Sequence, residues 1–220
     1  MRTENEPESR LVIDITYPQL NPSARPELSA VFDIINADIV GRINARADTF
    51  LVWARDAALT TPRDIAVESS LEGGFSEPFT NDRLLSVQQH FYSYVLGAAH
   101  PNTTVETFNY DLSTGEAVHL EDLFESGTAY LDALSSLAHA GLIEEATSRG
   151  FAPADLWSEG YAPTPENFAH FTLHEDSLAL HFPPYAVAPY VAGEFEIRIP
   201  YTNLTSVLRS GGPASSLAIQ

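Results

Sequence analysis

With 220 residues, 44% of them hydrophobic, and 12 Phe, 9 Tyr and 2 Trp, the chain can bury a sizeable core, which argues against intrinsic disorder. Its 30 acidic residues against 11 basic ones, all arginine, leave a net charge of −19, a sign that speaks against phosphate backbones and anionic lipid as partners. The absence of cysteine excludes a disulfide scaffold, a thiolate metal site and a cysteine nucleophile.

Met1 to Arg10 is polar and lacks the apolar stretch of a signal peptide, and no later stretch reaches the length of a membrane span. Leu11 to Tyr17 alternates Leu11, Ile13, Ile15 and Tyr17 against Val12, Asp14 and Thr16, which predicts a half-buried strand. Pro18, Pro22 and Pro26 mark a loop, and Leu28, Val31, Phe32, Ile35, Ile39, Ile43 and Phe50 then follow a helical period. Asp64 to Leu71 reads as a strand with Ile65, Val67 and Leu71 inward, and Gly73-Gly74 as a turn or bulge. Leu84 to Leu96 carries large residues on both faces, as a central strand would. Thr104 to Leu112 alternates Phe108, Tyr110 and Leu112 against Thr107, Asn109 and Asp111, and Asp111 to Gly115 supplies a reversal.

Gly127 to Arg149 predicts an amphipathic helix with Tyr130, Leu131, Leu134, Leu137, Ala138 and Leu142 as its apolar stripe and Gly150 as its stop. Phe168 to Leu173 and Leu178 to Phe182 form a hairpin in which Phe171 faces Leu180 and Leu173 faces Leu178. Glu194 to Ile199 is a further strand, and Tyr201 to Leu208 a short closing helix. Strands and helices do not alternate as βαβ units, so the expected class is α+β: one mixed, mainly antiparallel sheet with two long helices packed against it. The expected organisation is an N-terminal segment over 11–96, a C-terminal segment over 97–208 packed with it as one globular unit, and a loose tail over 209–220.

Chemistry-bearing patterns are sparse. His170, His174 and His181 share the hairpin, with His170 opposite His181, but the spacing has no HExxH geometry, so ordinary exposed or edge histidines are expected and no metal. No GxSxG elbow, GxGxxG or Walker motif occurs, and no cofactor is expected. Glu121-Asp122 suits the start of a helix, and Glu144-Glu145 a solvated helix face. The loop from Pro183 to Gly193 is the binding candidate, because Tyr185 and Tyr190 offer amphipathic area and Pro189 pre-sets the backbone. His100, in the turn with Pro101 and Asn102, is the second recognition candidate.

Three runs carry a family resemblance: Gly97-Ala98-Ala99-His100 with Asp111-Leu112-Ser113-Thr114-Gly115, then Leu120-Glu121-Asp122-Leu123-Phe124, then Phe182 to Tyr190 with Gly193 and Ile199-Pro200-Tyr201. In order and spacing they resemble the extracytoplasmic domain shared by RsiV-type anti-sigma factors, PdaC-type peptidoglycan deacetylases and some secreted mycobacterial antigens. Tyr17-Pro18 and the helix containing Ile35-Asn36 resemble the segment that precedes that domain. The resemblance implies an exported domain, its export signal or anchor absent from this sequence, and in the deacetylases a catalytic module separate from it. It implies a non-catalytic recognition domain of the cell envelope, not an enzyme, whose partner is a protein such as lysozyme or a wall glycan fragment. The alternatives are an envelope glycan hydrolase with an acidic cleft and a structural accessory module. The acid excess fits either a salt-adapted surface or a cationic partner.

Overall fold

The computed structural model describes residues 1–64, 67–215 and 217. Strands β1 (Arg2–Glu6), β2 (Leu11–Ile15), β3 (Ser69–Thr80), β4 (Leu84–Tyr94) and β5 (Asn102–Asp111) form one sheet in that order, and β6 (Phe171–Leu173), β7 (Ser177–Phe182) and β8 (Phe195–Pro200) form a second. Helices α1 (Ser29–Thr60) and α2 (Tyr130–Ser148) complete the α+β architecture. The chain divides into two compact units: unit 1 holds residues 1–76, 89–104 and 113–115, and unit 2 holds 77–88, 105–112 and 116–220.

In unit 1, β2 buries Leu11, Ile13 and Ile15 by strict alternation. Helix α1 buries Phe32, Ile35, Ile39, Ile43, Ala47, Phe50, Leu51 and Ala54, the three-and-four spacing of one helical face. Strand β3 departs from the expected Asp64 start. It begins at Ser69 and runs through Gly73-Gly74 instead of turning there, and Val67, expected inward, is exposed; Ile65 lies outside the described residues. Gly73 pairs with Ile15 across a parallel ladder, and a Cβ on it would stand 2.7 Å from Ile15 Cγ2. Close approach, not a turn, is what this glycine provides.

Strand β1 has no apolar alternation to announce it. Backbone pairing with β2 and side-chain ion pairs hold it: Arg2 reaches Asp48 at 3.0 Å, and Arg55 Nε donates to Glu6 at 3.1 Å. The Arg55 guanidinium draws the Glu6 carboxyl down to about 2.

In unit 2, the Asn81 carboxamide oxygen accepts from the backbone N–H of Arg83 and Leu84, at 2.8 and 2.7 Å, and closes the turn into β4. Phe108, Tyr110 and Leu112 are buried as expected. The reversal after β5 is closed by Asp111 N–H to Glu116 O at 3.0 Å, with Gly115 at φ +81°. Asp122 accepts the His119 N–H at 2.8 Å and so opens the short Leu120–Leu123 turn. Helix α2 buries Leu134, Ala138, Leu142 and Ala146, and Gly150 ends it at φ +85°. Gly141 lets that helix press onto β8, since a Cβ there would lie 2.6 Å from Ile197 Cγ2. Of the Ser/Gly/Pro-rich end, Ala214 and Leu217 are buried among the apolar residues of unit 2.

The single expected sheet is corrected to two. Strand β6 does not extend the large sheet, because side chains occupy its backbone groups. Asn109 Nδ2 donates to Phe171 O at 2.9 Å, Phe171 N–H donates to Thr107 Oγ1 at 3.3 Å, and Leu173 N–H donates to Ser86 Oγ at 2.8 Å. The Ser86 hydroxyl in turn donates to Asn109 Oδ1 at 2.7 Å. These buried polar side chains of β4 and β5 are thereby satisfied. Each helix also serves its own sheet: α1 contacts β2, and α2 contacts β8.

Candidate functional site

The hairpin register is the one the sequence predicts: Phe171 faces Leu180 and Leu173 faces Leu178, and His181 N–H donates to His170 O at 2.8 Å. The expectation of exposed or edge histidines is corrected for two of the three. His174 and His181 are buried, and the hydroxyl of fully buried Thr172 joins them, with Oγ1 3.2 Å from His174 Nε2 and 2.8 Å from His181 Nε2. His181 Nδ1 lies 3.0 Å from Gln88 Nε2.

This chain has a direction. An amide nitrogen can only donate, so His181 Nδ1 accepts from Gln88 and the proton of a neutral His181 sits on Nε2. That N–H donates to Thr172 Oγ1, and the threonine's single proton then goes to His174 Nε2. Neutral His174 is left with its N–H at Nδ1, an assignment that follows from the hydrogen-bond geometry and the Gln88 amide orientation. Burial holds the His174 imidazole below its ordinary value, with the neighbouring Arg198 charge acting the same way and Glu196 and Asp176 opposing.

His174 lines a cavity of about 640 Å³ together with Glu175, Asp176, Arg198, Tyr201 and Thr202. Arg198 Nε donates to Glu196 at 2.8 Å, and Glu196 stands 3.9 Å from His181 Nδ1. Burial raises the carboxyl of Glu196, but the Arg198 hydrogen bond and the neighbouring charges bring it down on balance. The Tyr201 hydroxyl donates to His174 O at 3.3 Å, and burial raises its pKa strongly. A neutral imidazole, a guanidinium and a carboxylate thus share one opening. Among the described residues, no group of three or more His, Cys, Asp or Glu is placed to hold a metal ion.

The residues singled out from the sequence lie elsewhere. Tyr185 and Tyr190 come together, ring centroids 5.4 Å apart, with Tyr185 half-exposed at φ +71° and Pro189 opening the short Tyr190–Ala192 turn. That loop follows the Phe182 end of β7, whereas the histidine cavity sits at its Ser177 end, and the strand between spans about 17 Å at the usual rise per residue. His100 belongs to unit 1, is exposed, and places Nδ1 2.8 Å from Pro101 O.

The cavity residues from His174 to Thr202 fall within a segment, 121–202, that matches the family described as protein of unknown function (DUF3298). That segment is similar to DUF3298 domains. The resemblance to the PdaC-type family is borne out by the relatives. Over 119 residues the chain is 37% identical to the peptidoglycan-N-acetylmuramic acid deacetylase PdaC of Bacillus subtilis, covering 54% of this chain and 25% of that protein. Over 105 residues it is 32% identical to the esterase Rv3036c of Mycobacterium tuberculosis, covering 48% of this chain and 44% of that protein. The chain therefore spans less than half the length of either curated relative.

Two solved DUF3298 structures share the fold. One, from Bacteroides fragilis, has a TM-score of 0.63 at 20% identity and covers 95% of this chain and 88% of that one. The other, from Pseudomonas aeruginosa, has a TM-score of 0.62 at 15% identity and covers 90% and 85%. The expectation that the chain is not an enzyme is overturned by the relatives, one named a deacetylase and one an esterase, which point to enzymatic activity. Neither name speaks of lysozyme or of a sigma factor, so those parts of the expectation have no support. No helix among the described residues is long and apolar enough to cross a membrane.

Proposed function

We propose that this chain acts outside the cytoplasm, at the cell envelope, by hydrolysing an acyl group carried on wall glycan, with the His174 cavity as the place of reaction. The deacetylase and the esterase have one bond class in common in their names, an acyl carbon bonded to nitrogen or oxygen. The observation that carries the reading is the directed Gln88–His181–Thr172–His174 chain, which leaves a neutral imidazole N–H at a cavity shared with Arg198.

In this reading Asp176 takes a proton from water as the water oxygen attacks the acyl carbonyl carbon. The carbonyl oxygen gains the negative charge, and His174 N–H and Arg198 stabilise it; a neutral donor beside a cation is well suited to a charge that exists only in the transition state. Collapse breaks the bond to the sugar oxygen or nitrogen, which recovers the proton from Asp176. The acid and the free sugar hydroxyl or amine are the products.

The test is acetate release from p-nitrophenyl acetate and from O-acetylated and N-acetylated wall glycan, using His174→Ala and Arg198→Ala variants with native circular dichroism. Each variant should lose about 100-fold in kcat, the usual cost of one oxyanion donor. Absence of release from all three substrates, or release that neither variant alters, removes this function.

A further inference from the structure

We propose that the outer face of β2, β3 and β4 in unit 1 is a second site, a groove for a saccharide rich in hydrogen-bond donors, with amino sugars preferred. The inference goes beyond the hydrolytic reading and uses none of its residues. A cavity of about 550 Å³ lies on this face, within the range of small-ligand sites. The parallel register sets Val12 beside Ser70 and Asp14 beside Glu72, and Thr16, Gly74, His90, Tyr92 and Glu68 complete the lining.

Gly74 is the informative residue. Its backbone lies outside the left-handed region, and a Cβ built on it meets nothing within 4 Å. Neither conformation nor packing asks for glycine there, and glycine inside a strand weakens it. This contrasts with Gly73, which Ile15 requires. What Gly74 does provide is room, because any side chain at that position would enter the groove. A glycine that costs strand stability and only keeps a cavity open points to an occupant.

The lining says which occupant. Carboxylates accept hydrogen bonds and donate none, so a ligand here must bring donors, and anions are excluded. Among the described residues, none forms an ion pair with Asp14, Glu68 or Glu72, so these acceptors remain available. Tyr92, 45% exposed, offers a ring face against which the C–H face of a sugar packs. Sugar hydroxyls supply donors, and an ammonium supplies donors with charge. One groove therefore takes both acetylated and free amino sugars, and takes the free amine more tightly.

Calorimetric titration of the full chain with N-acetylated chitotetraose and with its fully deacetylated form tests this, against Tyr92→Ala and Gly74→Val. Both sugars should bind, the deacetylated one at least about 10-fold more tightly, and each variant should weaken both by about 10-fold or more. Gly74→Val should keep or raise the thermal midpoint, so its loss of binding cannot be assigned to misfolding. His174→Ala, slowed about 100-fold in the hydrolytic reading, should bind normally, which separates the two ideas. Failure of both sugars at about 10 mM, equal or tighter binding of the acetylated form, or binding that survives both variants would each overturn the groove.

Discussion

At the scale of single residues, Thr172 holds the candidate site together. Its one hydroxyl both accepts and donates, and it does so between two buried imidazoles. Thr172→Val keeps the shape and strands both ring nitrogens, so urea unfolding should register a loss of about 2 kcal/mol, in the range for unsatisfied buried groups. Protonation adds a sign. The groups facing His174 are Arg198, Glu196 and Asp176, and burial with Arg198 holds the folded-state pKa below the ordinary 6.5. The unfolded chain therefore takes up a proton at a higher pH than the folded one. Stability from this histidine is complete above pH 6.5 and drains as pH falls from there toward the folded value. In Thr172→Val the ring also loses its donor at Nε2, and the pH dependence below 6.5 should change, readable from unfolding curves at pH 5 and 7.5. None of this was legible in the hairpin's residues: His-Phe-Thr-Leu-His in a row does not reveal which side chains a second layer covers.

At the scale of elements, two glycines in helices show how far local rules reach. Gly41 in α1 is exposed, and a Cβ added there would meet nothing within 4 Å, so Gly41→Ala should stabilise by about 1 kcal/mol through helix propensity alone. A Cβ on Gly141 in α2 would lie 2.6 Å from Ile197 Cγ2, so the same substitution should destabilise by about 1–3 kcal/mol through overpacking. Chemical denaturation of the two variants, with Ile197→Ala added to the second to relieve the clash, checks the opposite signs. The helices, the β6–β7 register and the β5 reversal could be read from period and turn chemistry. Strand β1 could not, since its polar residues gain order from β2's backbone and from ion pairs with α1. The second sheet was equally hidden, because Thr107 and Asn109 read as an outward polar face until β6 is seen to use them.

At the scale of the whole molecule, charge dominates. A net charge of −19 is self-repulsive, and the few arginine pairs on the surface do not offset it. Raising NaCl from about 0.05 M to about 1 M shortens the screening length severalfold. The thermal midpoint should therefore rise, with scanning calorimetry as the measurement; a fall would mean that the ion pairs of β1 outweigh the repulsion. Part of that repulsion sits on the β2–β4 face, where Asp14 and Glu72 are in adjacent register.

The α+β class, both helices, the hairpin pairing and the family resemblance were determined by local pattern, because side-chain period, turn residues and motif order are properties of the chain itself. The split into two sheets, the burial of His174 and His181 around Thr172, and the room above Gly74 were decided only in three dimensions. Each depends on which distant strand arrives to cover a polar side chain or to leave a glycine uncovered, and no spacing along the chain encodes that.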